Sequence, residues 1–237
     1  TPYTSSAASD VYKRQGKRVG VLNSSESSEI EKGLIDKVKK VLEANGAVIV
    51  DVEFNISSDY KAAKEFYVLL YEFNVGMKNY LKGRGLPYET LEDIVAFNEA
   101  NSDTVLKYFG QEIFLESLKA TDTERYLKER EDIGKLAKAQ IDSVLEENNL
   151  DVIIGLTRNP GWLTDLENGD SRGDGGISWA NGGLSAVAGY PHITIPLDFV
   201  NNLPVGVSFL GTAWDEANLI NAAYSFEQEN KFFPIPK

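Results

Sequence analysis

Cysteine is absent from the 237-residue sequence, and histidine occurs once. Without cysteine there is no disulfide framework, no thiolate nucleophile and no Cys-ligated zinc or iron–sulfur site. A lone histidine also removes multi-histidine metal sites, leaving only carboxylate and carbonyl oxygens for a hard cation. Basic residues are in deficit: 24 Lys and Arg stand against 36 Asp and Glu, a formal charge of −12. Phosphate neutralisation needs clustered Lys and Arg, so no nucleic-acid partner is expected. No uninterrupted apolar run approaches ~20 residues, so no membrane-spanning segment is expected, and a cytoplasmic location is the expectation. What is present, 42% hydrophobic and 25% charged residues, suffices for a sizeable core and excludes a disordered polyampholyte.

Periodicity is missing from residues 1–15 (TPYTSSAASDVYKRQ), which show neither the alternation of a strand nor helical spacing. The stretch has no basic start and apolar centre, so it is not a secretory signal. Residues 5–15 read as translated adapter sequence. The expectation is a non-native or disordered leader, followed by a chain cut from a longer reading frame.

From residue 16 onward strands and helices alternate. Residues 18–23 (RVGVLN) form a β-rich run, and Ser28 with Glu31 makes a capping-box pattern that opens a helix. Ile30, Leu34, Val38, Val41 and Leu42 keep helical spacing, and Asn45-Gly46 supplies the stop. Residues 47–52 (AVIVDV) read as a continuous apolar strand of the buried kind. A helical stretch follows, with Asp59 as cap, the stripe Ala63, Phe66, Leu70, Phe73, Met77 and Tyr80, and an end at Gly83–Gly85. Such stripes are read as core. Thr90 with Asp93 starts another helix, and residues 112–118 and 123–147 continue the pattern. Strands return at residues 151–154, 192–195 and 205–210, and Asp215 is placed to cap a last helix. Pro191 and Pro196 are expected to hold the second of these strands to four residues. The fold class is therefore α/β, a mixed sheet covered by helices.

Several blocks in order carry a family resemblance: Asn159-Pro160, Asn168-Gly169-Asp170, SAVAGYP at 185–191, HITIP at 192–196, LPVGVSFLG at 203–211, and a closing helix that ends in Phe226-Glu227-Gln228. Upstream, GKRVGVL at 16–22, TLEDIVAFN at 90–98 and YFGQEIF at 108–114 fit the same pattern. Together these resemble the C-terminal half of an amidase signature enzyme, of the long bacterial type. The resemblance implies that residues 16–237 are the C-terminal part of an amidase domain, incomplete on its N-terminal side. It implies hydrolysis of a carbon–nitrogen amide bond by a Ser–cis-Ser–Lys mechanism in the full-length parent, a small-molecule amide as substrate, and no cofactor.

That chemistry needs a Lys and a Ser-Ser-Gly-Gly-Ser-type segment, because a Ser hydroxyl is hardly ionised unless a base activates it. None of the Ser-Ser pairs here, at residues 5, 24, 27 and 57, is followed by Gly-Gly. No catalytic residue is therefore assigned to this chain. His192 opens an apolar strand and reads as structural. The run from Asp170 to Gly175 has the outline of a calcium loop, but Arg172 occupies its third position and Asn181 stands where a bidentate Glu is needed. No metal is expected. The remaining candidate element is the loop at 157–178, which joins strand to helix and carries Trp162, Asp165, Asn168 and Asp170. Trp162 can wall an apolar pocket while the polar residues orient a substrate group. The same residues can equally be a core Trp and Asx turns. Arg158 stands just before them, where the family usually has an Ala-Pro-Thr step, and alters the charge of any such pocket. The alternative function is a non-catalytic α/β protein, derived from an amidase, that binds a small ligand or a partner.

Overall fold

The computed structural model describes residues 16–23, 27–54, 59–60, 65–168 and 182–234. These divide into two compact units. Residues 1–57, 134–161 and 174–237 group into a sheet unit, and residues 58–133 and 162–173 into a helical unit.

The sheet unit is built on β1 (Arg18–Leu22), β2 (Val48–Val52), β3 (Val152–Leu156), β4 (His192–Val200) and β5 (Leu203–Leu210). They lie in the order β2-β1-β3-β5-β4. β1 runs parallel to β2 and β3, and β5 runs antiparallel to both β3 and β4. The parallel trio needs crossovers. The first is α1 (Glu29–Ala44), which begins at the expected capping box: the Ser28 hydroxyl accepts from Glu31 N at 3.3 Å and Glu31 Oε2 accepts from Ser28 N at 2.7 Å. It stops at Asn45, with Gly46 at φ 73°. One face of the sheet, with Val19, Val21, Ile154, Val207 and Phe209, packs on Ile35, Val38 and Leu42 of α1 and on Leu219, Ala223 and Phe226 of the last helix, named α8 below. Phe209 and Phe226 meet edge to face at 5.7 Å. The turn into β3 is clamped by Arg18, whose guanidinium donates to the carbonyls of Asn148 and Asn149, each at 3.0 Å.

In the helical unit α2 (Glu65–Leu81), α3 (Leu91–Ala100), α4 (Ser102–Val105) and α5 (Glu112–Lys119) precede α6 (Thr123–Glu147), which continues into the sheet unit. α7 (Gly183–Ala188) and α8 (Glu216–Asn230) belong to the sheet unit. The Thr90–Asp93 capping box opens α3 as read from the sequence. Tyr71 and Tyr126 stack at 4.2 Å, and the Arg125 guanidinium lies 3.6 Å over the Tyr67 ring.

Four expectations are corrected. The 192–195 strand runs on through Pro196 to Val200, with a register shift between Pro196 and Asp198. β4 is an edge strand, and an edge or bulge tolerates a proline that cannot donate. β2 is also an edge strand, and its Val48 is 43% exposed, so its apolar run is not a buried one. In the α2 stripe Leu70 is buried, but Phe66 and Tyr80 are 51% and 59% exposed. Asp215 sits at the N-cap of α8 without a side-chain bond to the helix backbone, and its Oδ2 accepts from Asn218 Nδ2 at 3.0 Å. The leader at 1–15, Asp170 and the calcium-like run at 170–175 lie outside the described residues.

Candidate functional site

Along a strand, side chains alternate between faces. With Val207 and Phe209 turned toward α1 and α8, Gly206 and Ser208 of β5 fall on the opposite face of the sheet. The register sets Ser208 between Gly155 of β3 and Thr194 of β4. Gly155 has no side chain to fill that space. The Ser208 hydroxyl lies 2.7 Å from Thr157 Oγ1 and 2.8 Å from Thr194 Oγ1, so three hydroxyls form one chain. Thr157 leaves the C-terminal end of β3 and is anchored by its own N–H, which donates to Gly206 O at 3.0 Å. A Cβ at Gly206 would stand 2.8 Å from Thr194 Cγ2 and 2.9 Å from Thr157 Oγ1. Only glycine leaves the hydroxyls room to meet.

Ser208 is fully buried and Thr194 exposed, so the chain of hydroxyls runs from the interior to the surface. It can donate to or accept from a polar group laid against the sheet. Among the described residues the partners of the Ser208 hydroxyl are two threonine hydroxyls and not an amine or carboxylate base, and a hydroxyl without such a base stays protonated near neutral pH. His192, two residues from Thr194 on the same face, packs its ring on Gly182, whose missing Cβ would lie 3.4 Å from the imidazole. Ser185 of α7 is buried, and among the described residues its hydroxyl finds no hydrogen-bond partner. Tyr190 donates to Asp142 Oδ2 at 2.6 Å, and Thr212 donates to the other oxygen at 3.0 Å. Desolvation, reinforced by that bond to Asp142, raises the Tyr190 hydroxyl above its ordinary range. Among the described residues no group of three or more His, Asp or Glu side chains is arranged to hold a metal ion, and no helix is long and apolar enough to cross a membrane.

The residues singled out in the 157–178 loop are placed as follows. Asp165 and Asn168 come together in an Asx turn: Asp165 Oδ1 accepts from Glu167 N and Asn168 N, each at 2.9 Å, and Oδ2 accepts from Asn168 Nδ2 at 3.0 Å. The Asn168 side chain, then the two backbone N–H groups, hold the Asp165 carboxyl below the usual carboxylate range. Trp162 is 43% exposed and its neighbour Leu163 96%, so Trp162 is not a core tryptophan. These loop residues group with the helical unit, and the hydroxyl cluster with the sheet unit. Ser208 and Thr194 are absent from the sequence-based candidates. Their only signal is the alternation that puts Gly206, Ser208 and Thr194 on one face, and it can be read only once the β4–β5 register is known.

A family model described as Amidase matches residues 2–220. A probable amidase of Arabidopsis thaliana is 28% identical over 232 residues, which cover 94% of this chain and 40% of that protein. A glutamyl-tRNA(Gln) amidotransferase subunit from Exiguobacterium sibiricum is 28% identical, over 100% of this chain and 49% of its own. Among solved structures, native peptide amidase from Stenotrophomonas maltophilia superposes with a TM-score of 0.81 at 31% identity. It is matched over 100% of this chain and 48% of its own. The chain thus spans less than half the length of each of these relatives. Matched across nearly all of its residues by the family model, and carrying the α/β core of peptide amidase, the chain belongs to the amidase signature family.

Proposed function

We propose that this chain supplies the substrate-facing, non-nucleophilic half of an enzyme that hydrolyses the carbon–nitrogen bond of a small linear amide. The observation that carries the reading is the likeness to peptide amidase over the full length of the chain, at a TM-score of 0.81. The Thr157–Ser208–Thr194 hydroxyls support it, because neutral donors and acceptors on a sheet face suit an uncharged carboxamide. In this reading Trp162 walls the acyl or side-chain portion of the substrate. Asp165 and Asn168, with Asp170, orient its polar groups. The 43% exposure of Trp162 and the Asx turn that sets the position of Asp165 support those roles. No catalytic residue is assigned to this chain, whose buried Ser208 hydroxyl is bonded to threonines and not to a base.

The test has two arms. The purified chain is assayed against aryl amides and peptide amides, and no turnover is expected. A fusion in which the chain replaces the matching half of Stenotrophomonas maltophilia peptide amidase is then assayed on peptide amides. Turnover is expected, with a raised KM for Trp162→Ala. A folded fusion without activity, or activity of the isolated chain that disappears when one of its serines is replaced, would overturn the proposal.

A further inference from the structure

The protons of the three clustered hydroxyls can be counted. Ser208 stands in the middle, 2.7 Å from Thr157 Oγ1 and 2.8 Å from Thr194 Oγ1, and it is fully buried. A hydroxyl has one proton to donate and two lone pairs that accept. The Ser208 proton can therefore reach only one threonine, and the other threonine must donate to Ser208 for both contacts to be hydrogen bonds. If both threonines donated, the Ser208 proton would be left in the interior without an acceptor, which is costly. Among the described residues neither threonine hydroxyl has a further partner. The threonine that accepts from Ser208 thus keeps its own proton and faces outward as a donor. The threonine that donates to Ser208 has only lone pairs left and faces outward as an acceptor. The chain presents one donor and one acceptor, in either order, and never two donors. Thr194 is exposed and Thr157 half-buried, so a ligand meets the two ends and not the buried middle.

We infer that the Thr157–Thr194 pair is a specificity element that selects a carboxamide over the carboxylate its hydrolysis leaves behind. The inference deepens the amidase reading and rests on it for the statement that an amide lies against this face. A carboxamide brings one group of each kind: its C=O accepts from the donor threonine and its N–H donates to the acceptor threonine. A carboxylate brings acceptors only. One of its oxygens is left facing a threonine lone pair, and the three hydroxyls hold no second proton for it. The acid product is therefore held less tightly than the amide, which favours its release. Arg158, the next residue after Thr157, already has a partner of its own, and a site built on its charge would show the opposite preference.

The experiment is a titration of the full chain, with its threonine methyl groups isotopically labelled and followed by nuclear magnetic resonance. The probes are benzamide, acetophenone and benzoate, which are nearly isosteric. Benzamide carries an acceptor and a donor, acetophenone an acceptor only, and benzoate two acceptors and a charge. Benzamide is expected to shift the Thr157 and Thr194 methyls saturably, and the other two probes to bind at least about tenfold more weakly, as one unpaired polar contact typically costs. Thr194→Val and Thr157→Val keep the shape but remove one end of the chain, and each should bring benzamide and acetophenone within about twofold of each other. Thr194→Ser keeps the hydroxyl and should keep the preference. Should Thr194→Val lose its native circular dichroism, Thr157→Val decides. No saturable shift, equal affinity for benzamide and acetophenone, tighter binding of benzoate, or an undiminished preference in a folded valine variant would each overturn the inference. Turnover by the peptide amidase fusion tests the amidase reading separately. An active fusion whose threonines do not discriminate overturns this inference alone, and an inactive fusion beside a chain that selects benzamide overturns the activity alone.

Discussion

At the residue scale Gly206 is hemmed in by stiff neighbours. Its neighbours across the missing Cβ are Thr194 and Thr157, with Ile195 O at 3.3 Å. Both threonines are β-branched and stiff at χ1, and both are held by the same serine, so neither can swing aside cheaply. Gly206→Ala is therefore expected to destabilise the chain by about 1–3 kcal/mol through overpacking. Urea denaturation would measure this, and an unchanged midpoint would mean that the hydroxyl cluster yields. Around Asp165 the residue scale shows something different. An exposed carboxylate has its oxygens occupied by its own turn, which makes it a fixed acceptor instead of a freely rotating one.

The element scale is decided at ends and pins. α1 starts on a reciprocal cap, and Ser28→Ala is expected to remove about 1 kcal/mol of stability, again read from a denaturation midpoint. A cap that contributes nothing would leave that midpoint in place. α1 is also pinned to the edge strand β4: Lys37 Nζ donates to Asp198 Oδ2 at 2.7 Å and to Leu197 O at 3.1 Å. Burial by itself raises the Asp198 carboxyl, but the Lys37 hydrogen bond, the Phe199 N–H and the Lys37 charge together outweigh it and leave the carboxyl below its ordinary range. A carboxyl depressed in the folded state contributes stability above its unfolded pKa of about 3.9 and loses it as the pH falls through the lower folded value. The thermal midpoints of wild type and Asp198→Asn should thus differ by a constant amount above about pH 5 and converge below about pH 4. Curves that stay parallel down to acid would show that the pin is not what Asp198 contributes.

At the scale of the whole molecule, the helical unit presents apolar side chains that its own core does not use. Phe66, Leu69 and Tyr80 of α2 are 51%, 56% and 59% exposed, and their spacing sets them along one side of the helix. A contiguous apolar stripe of this kind favours association. The chain is expected to bind a hydrophobic dye and to scatter light as an oligomer, and Phe66→Lys with Leu69→Lys should shift it toward the monomer. A wild-type chain that is monomeric and dye-silent would contradict this.

Much of the local structure was legible in the sequence because its causes are local. The Ser28–Glu31 and Thr90–Asp93 boxes, the stop at Asn45-Gly46 and the bounds of α6 each depend on a few neighbouring residues. The α/β class followed from the alternation of strand and helix patterns, and family membership from blocks such as HITIP and LPVGVSFLG. What the sequence could not settle depends on partners distant along the chain. Whether Pro196 ends β4 depends on whether that strand lies at an edge, which its pairing with β5 decides. Whether the Phe66 and Tyr80 stripe is core depends on whether another surface covers it. The hydroxyl cluster joins Thr157, Thr194 and Ser208, which stand on three separate segments. Propensity and periodicity describe one segment at a time, whereas a site is made where the sheet's register brings separate segments face to face.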